Sequence, residues 1–144
     1  VDVDEAGEPD IRRGHRVIVA GIGSRKGVSA AEVVAALDAA LARAGIARDA
    51  VGALATPAVK GGEPGITAAA TALGLPLVLV PQKTLEAAAG RTLTTSDRVI
   101  ALMGVPSASE TAALAACGPD GKLIAPRTAV GPVTCALARR EPAP

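Results

Sequence analysis

Short apolar runs alternating with helix-period segments predict a three-layer α/β/α domain. Its sheet is expected to be mixed but mostly parallel, with about five strands and an antiparallel hairpin at the end. Three observations carry this prediction. The apolar runs stop at glycine or proline, as buried parallel strands do. Two Ser-x-x-Glu capping boxes open helical segments. The last third holds two strand-like runs separated by a turn-like stretch.

Residues 1–13, with five carboxylates as well as Gly7 and Pro9, read as an arm; residues 14–138 read as one domain and 139–144 as a tail. Val17–Ala20 is the first strand, and Gly21–Val28 is expected to be a loop. Ser29-Ala-Ala-Glu32 then opens a helix whose apolar face is Val33, Leu37, Leu41 and Ala44, stopped by Gly45. A second strand spans Val51–Thr56, followed by a polar loop to Gly65 and a helix over Ile66–Leu73. Leu77–Val80 is a continuous apolar third strand. A brief helix covers Lys83–Ala89. Ser96 caps Asp97–Met103, and the second capping box, Ser107 to Glu110, opens a helix to Ala116. Lys122–Pro126 and Val133–Ala138 form the closing hairpin around a turn at Arg127–Pro132.

The chain has 144 residues, a net charge of +1 and no aromatic side chain. Its length suits one domain with a core of its own. The near-neutral balance argues against nucleic-acid binding, and the missing aromatics remove the usual base-stacking platforms. Glycines and prolines interrupt every apolar stretch, so no membrane span is expected. The acidic start has no apolar run, so no signal peptide is read there and the cytoplasm is the expected location. Cys117 and Cys135, 18 positions apart, match neither a redox pair nor a zinc site, and His15 is the lone histidine. No metal and no resident cofactor are expected.

Four polar segments carry the candidate chemistry. The first, Gly21-Ile-Gly23-Ser24-Arg25-Lys26-Gly27, combines glycines with two cations ahead of a helix, a composition suited to anions. Its Gly-x-Gly-x-x-x-Gly spacing departs from the dinucleotide fingerprint, and the second strand ends in Thr56-Pro57 with no acid for a ribose. A tight turn with solvated basic side chains is the plainer alternative. The second segment runs from Thr56 to Gly65, where Lys60 suits a carboxylate. Glu63 there suits a general base or a contact with the helix start. The third, Gly104–Glu110, presents Ser107 and Glu110, which capping alone would explain. The fourth holds Arg127.

Together the segments at 21–29, 54–66 (Leu-Ala-Thr-Pro-Ala-Val-Lys-Gly-Gly-Glu-Pro-Gly-Ile), 104–114 and 124–138 resemble the CobE/CbiG C-terminal-domain family, across roughly residues 16–138. The resemblance implies cobalamin biosynthesis. Family members occur as the C-terminal part of a cobalt-precorrin-5A hydrolase, which opens a lactone and releases acetaldehyde, or as a stand-alone protein. The length of this chain suits the stand-alone form. The implied partner is a tetrapyrrole (corrinoid) intermediate fringed by carboxylates, and other enzymes of the pathway are further candidate partners. Ser24 stands where the family commonly has Cys, and Gly62 where it commonly has an acid; both departures speak against strong catalysis. The implied ligand contacts are Gly21, Gly23, Ser24, Arg25, Lys26, Gly27, Thr56, Lys60, Glu63, Ser107 and Arg127, with Ile22, Val28, Val59 and Ile66 as aliphatic support. A binding accessory leads. The alternatives are a lactone hydrolase using Lys60 with Glu63 or Glu110, and a partner protein that binds no ligand.

Overall fold

The computed structural model describes residues 18–140; the predicted arm, His15 and residues 141–144 lie outside that range. Strand β1 (Ile18–Ser24) leads to helix α1 (Ala30–Ala44), β2 (Val51–Pro57), α2 (Pro64–Leu73) and β3 (Leu77–Val80). Three helices follow, α3 (Gln82–Ala88), α4 (Asp97–Met103) and α5 (Ala108–Cys117), and then β4 (Gly121–Leu123), β5 (Thr128–Val130) and β6 (Val133–Arg140).

The sheet is mixed, with order β3-β2-β1-β6-β4, and β5 also pairs with β6. β1, β2 and β3 are parallel to one another, whereas β6 runs antiparallel to β1, β4 and β5. β2 is buried along its whole length, as a strand covered on both faces should be. One core layer joins Ile18, Ala20, Ile22, Leu54, Cys135 and Leu137 to α1 and α2. The opposite layer joins Val19, Ala55, Ala136 and Ala138 to α3 and α5. Strand side chains alternate between the two layers, so the sheet is the middle of three.

The predicted capping box at Ser29 forms in both directions, and Gly45 ends α1 at φ +70°. Three predictions need correction. The glycine segment is not a loop from Gly21, because β1 continues to Ser24 and pairs with β6 throughout. Arg127–Pro132 is not one turn: Thr128–Val130 is a sixth strand, and the hairpin joins β5 to β6. Its two-residue turn has Gly131 at φ +56° followed by Pro132, an arrangement suited to strand twist. Finally, β6 continues through Arg140, and Arg139 and Arg140 pair with β4.

Candidate functional site

The carboxyl ends of β1, β2 and β3 carry a crown of loops, each tied to the next. The loop after β1 meets the loop after β2 where the Gly27 N–H donates to the Glu63 carboxylate at 3.1 Å. Gly65 reinforces this junction, since a Cβ there would strike the Val28 carbonyl. The loop after β2 reaches β3, where a Cβ on Gly61 would sit 2.9 Å from Leu79 Cδ1. From the start of α3, the Gln82 side-chain amide donates to the Met103 carbonyl at the end of α4, at 2.8 Å. The segment ahead of α4 meets the link that leads into α5, with the Ser96 N–H on the Pro106 carbonyl at 2.9 Å. The circuit returns to β1 because α5 lies against Gly23.

Within this crown Arg25, Lys26 and Gly27 are exposed, and Lys60 and Glu63 are half-buried. Gly27 has φ +80°, and the space beside it is open. Glu63 is the N-cap residue of α2 but does not cap it; its carboxylate turns to the neighbouring loop. At the start of α1 the capping box occupies the Ser29 and Glu32 amides.

Other predicted contacts are placed differently. Gly21 and Gly23 face α5: a Cβ on Gly21 would collide with the Ser109 carbonyl and come within 2.7 Å of the Ala113 nitrogen, and one on Gly23 within 2.7 Å of Thr134 Oγ1. Their lack of a side chain admits a helix, so they are not ligand-cradling loop glycines. The Ser24 hydroxyl is buried without a hydrogen-bond partner. The Thr56 hydroxyl is buried and donates to the Ile22 carbonyl at 2.8 Å, which holds β2 to β1. Ile22, Val28 and Ile66 are core residues rather than ligand support, and only Val59 of that set is exposed. Leu79, 46% exposed beside Gly61, joins Val59 as apolar surface near Lys60.

Glu110 is the main surprise. It is wholly buried, and its carboxylate accepts the N–H groups of Leu93 at 2.8 Å, Thr94 at 2.9 Å and Arg127 at 2.9 Å. A carboxylate so engaged is no free base; it clamps two loops to α5. The predicted second capping box forms only by half. Ser107 Oγ accepts from the Glu110 N–H at 3.3 Å, but the Glu110 side chain does not return to Ser107. The Arg127 guanidinium reaches Ser107 Oγ at 3.5 Å, which puts one more cation on the α5 side.

Both cysteines are buried, and burial pushes their thiols up, Cys117 to about 11 and Cys135 to about 12. Among the described residues no cluster of three His, Cys, Asp or Glu suits a metal. No single described helix is long and apolar enough to cross a membrane. A hollow between α1 and the segment joining β4 to β5, lined by Ala40, Arg43, Ile124, Pro126 and Thr128, flanks the fourth predicted segment and shares no lining residue with the loops after β1 and β2.

The family model for the C-terminus of cobalamin synthesis G matches residues 18–138, from the start of β1 to all but the last two residues of β6. The chain belongs to the CbiG C-terminal family. It is 35% identical over 121 residues to Protein CobE from a Sinorhizobium species, covering 84% of this chain and 79% of that one. The crystal structure of CobE, described as a protein of the vitamin B12 pathway, superposes with a TM-score of 0.80 at 31% identity, covering 85% of this chain and 89% of that one. Cobalamin biosynthesis protein chiG from Agrobacterium tumefaciens gives 0.71 at 44% identity, covering 88% and 100%. A cobalamin biosynthesis protein G homolog from Sulfolobus solfataricus gives 0.61 at 26%, covering 86% of this chain but 37% of that one. The CbiG C-terminal domain described here is therefore a CobE/CbiG-like protein of cobalamin biosynthesis, as the sequence motifs implied.

Proposed function

We propose that this CbiG C-terminal domain binds an anionic precorrin or corrinoid intermediate and serves the pathway as a cytoplasmic accessory or carrier. The supporting observation is the junction of two polar loops at one rim. The Gly27–Glu63 hydrogen bond joins the segment bearing Arg25 and Lys26 to the segment bearing Lys60. A macrocycle edged with acetates and propionates presents several carboxylates at once. Three cations on adjoining loops can meet them as charge-assisted hydrogen-bond donors. Val59 and Leu79 offer the ring aliphatic surface beside Lys60. Arg127 extends the positive rim toward α5.

The hydrolytic alternative has less support. Glu110 spends both carboxylate oxygens on backbone donors, and Glu63 is engaged with Gly27. Stoichiometric binding without turnover is the expected behaviour.

The test is an absorption titration with cobyrinic acid, a corrinoid polycarboxylate. The chain has no Trp or Tyr, so the ligand spectrum is read almost free of protein background. The expected result is saturable binding that weakens in Arg25→Ala/Lys26→Ala, each charged hydrogen bond contributing about 1.5–3 kcal/mol. Equal affinity in the double variant would refute the loop assignment. Acetaldehyde release from a lactone-bearing precorrin would favour the hydrolase.

A further inference from the structure

Glu63 places a carboxylate on the loop proposed to receive carboxylates. Its side chain accepts the Gly27 N–H at 3.1 Å, next to Arg25 and Lys26 in the chain. The short carboxylate of an Asp at an N-cap turns back onto its own helix, but the Glu side chain is a methylene longer. Glu63 makes no such bond to α2, so the Gly27 amide is the donor it takes instead. The contact is at the surface and Gly27 is exposed, so solvent reaches the bond that an incoming group would replace. Of the amides at the start of α1, those of Ser29 and Glu32 are taken by its capping box.

We propose that Glu63 is a displaceable internal carboxylate, occupying the Gly27 amide until a carboxylate of the ligand takes its place. This rests on the carboxylate-binding reading above and adds to it a specificity device. A single weak carboxylate does not pay to expel Glu63, whereas a ligand with several carboxylates does, because Arg25, Lys26 and Lys60 engage its other groups at the same time. Apparent affinity is reduced by the fraction of time the amide is occupied from within. Removing the internal carboxylate should therefore tighten binding.

Two titrations test this. With cobyrinic acid, Glu63→Ala should bind at least about threefold more tightly than the parent chain, with Glu63→Gln in between. A plain structural latch predicts the opposite, since a loosened loop would bind more weakly; equal or weaker affinity in Glu63→Ala overturns the proposal. The second titration follows the Gly27 amide resonance by NMR with sodium acetate as probe. Acetate should move that resonance at lower concentration in Glu63→Ala than in the parent chain, and identical titration curves overturn the displacement. The two failures are distinguishable. Unchanged cobyrinic acid affinity in Arg25→Ala/Lys26→Ala overturns the loop assignment, and the acetate result concerns Glu63 alone.

Discussion

At the scale of single residues, the contact between β1 and α5 depends on a missing side chain. Gly21 is a strand residue under α5, and a methyl group there would press on helix backbone. Gly21→Ala should lower stability by about 1–3 kcal/mol, the usual result of overpacking, measured by urea unfolding followed by circular dichroism. A variant as stable as the parent would contradict the close approach. A glycine in a strand and a glycine in a phosphate loop look alike in sequence; what separates them is a helix arriving almost 90 residues later. Glu110 hides for the same reason. Its local pattern reads as a capping box, but its partners Leu93, Thr94 and Arg127 are 16 or 17 positions away. Glu110→Gln keeps the size but leaves one acceptor oxygen for three donors. A loss of about 1–3 kcal/mol for each donor left unpaired is expected, read in the same unfolding assay.

The cysteines set an alkaline limit at this scale too. A thiol whose folded value is raised stays neutral in the folded chain while the unfolded chain ionises. Its contribution is intact below the ordinary value of 9.0 and is lost as pH rises toward the folded values of about 11 and about 12. Stability should therefore fall across that interval, and Cys135→Ala, whatever its stability at neutral pH, should show a shallower fall. An equally steep fall in the variant would assign the alkaline loss to other groups.

Among secondary-structure elements, local chemistry was legible wherever the stabilising group is near in sequence. The α1 capping box, the left-handed glycines after α1 and α2, and the three parallel strands follow from patterns a few residues long. β5 was not legible, because Thr-Ala-Val is too short to declare itself and becomes a strand only by pairing with β6. The turn between them depends on Gly131 at φ +56°. Gly131→Val should cost roughly 1–2 kcal/mol, the penalty for placing a side chain in the left-handed region. Thermal unfolding would show it, and an unchanged midpoint would exclude the turn as drawn.

For the whole molecule, the absence of aromatic residues has a structural counterpart. Alanine and glycine line the contact between sheet and α5, so the layers pack through backbone proximity rather than bulky side chains. Arg25, Lys26, Lys60 and Glu63 lie on loops at the carboxyl ends of β1 and β2, where open α/β sheets keep their sites. The sequence motifs pointed to those loops and to the family. They did not show that Gly21, Gly23, Thr56 and Ser107 are buried, since burial is set by which strand lies beside which. The central claim is that Arg25–Gly27 and Lys60–Glu63 receive the carboxylates of a corrinoid. Amide NMR mapping with cobyrinic acid tests it most directly. The largest shifts should fall on those two segments and fade as salt is raised. Shifts centred instead on the hollow between α1 and the β4–β5 segment, or no shifts at saturating ligand, would contradict it.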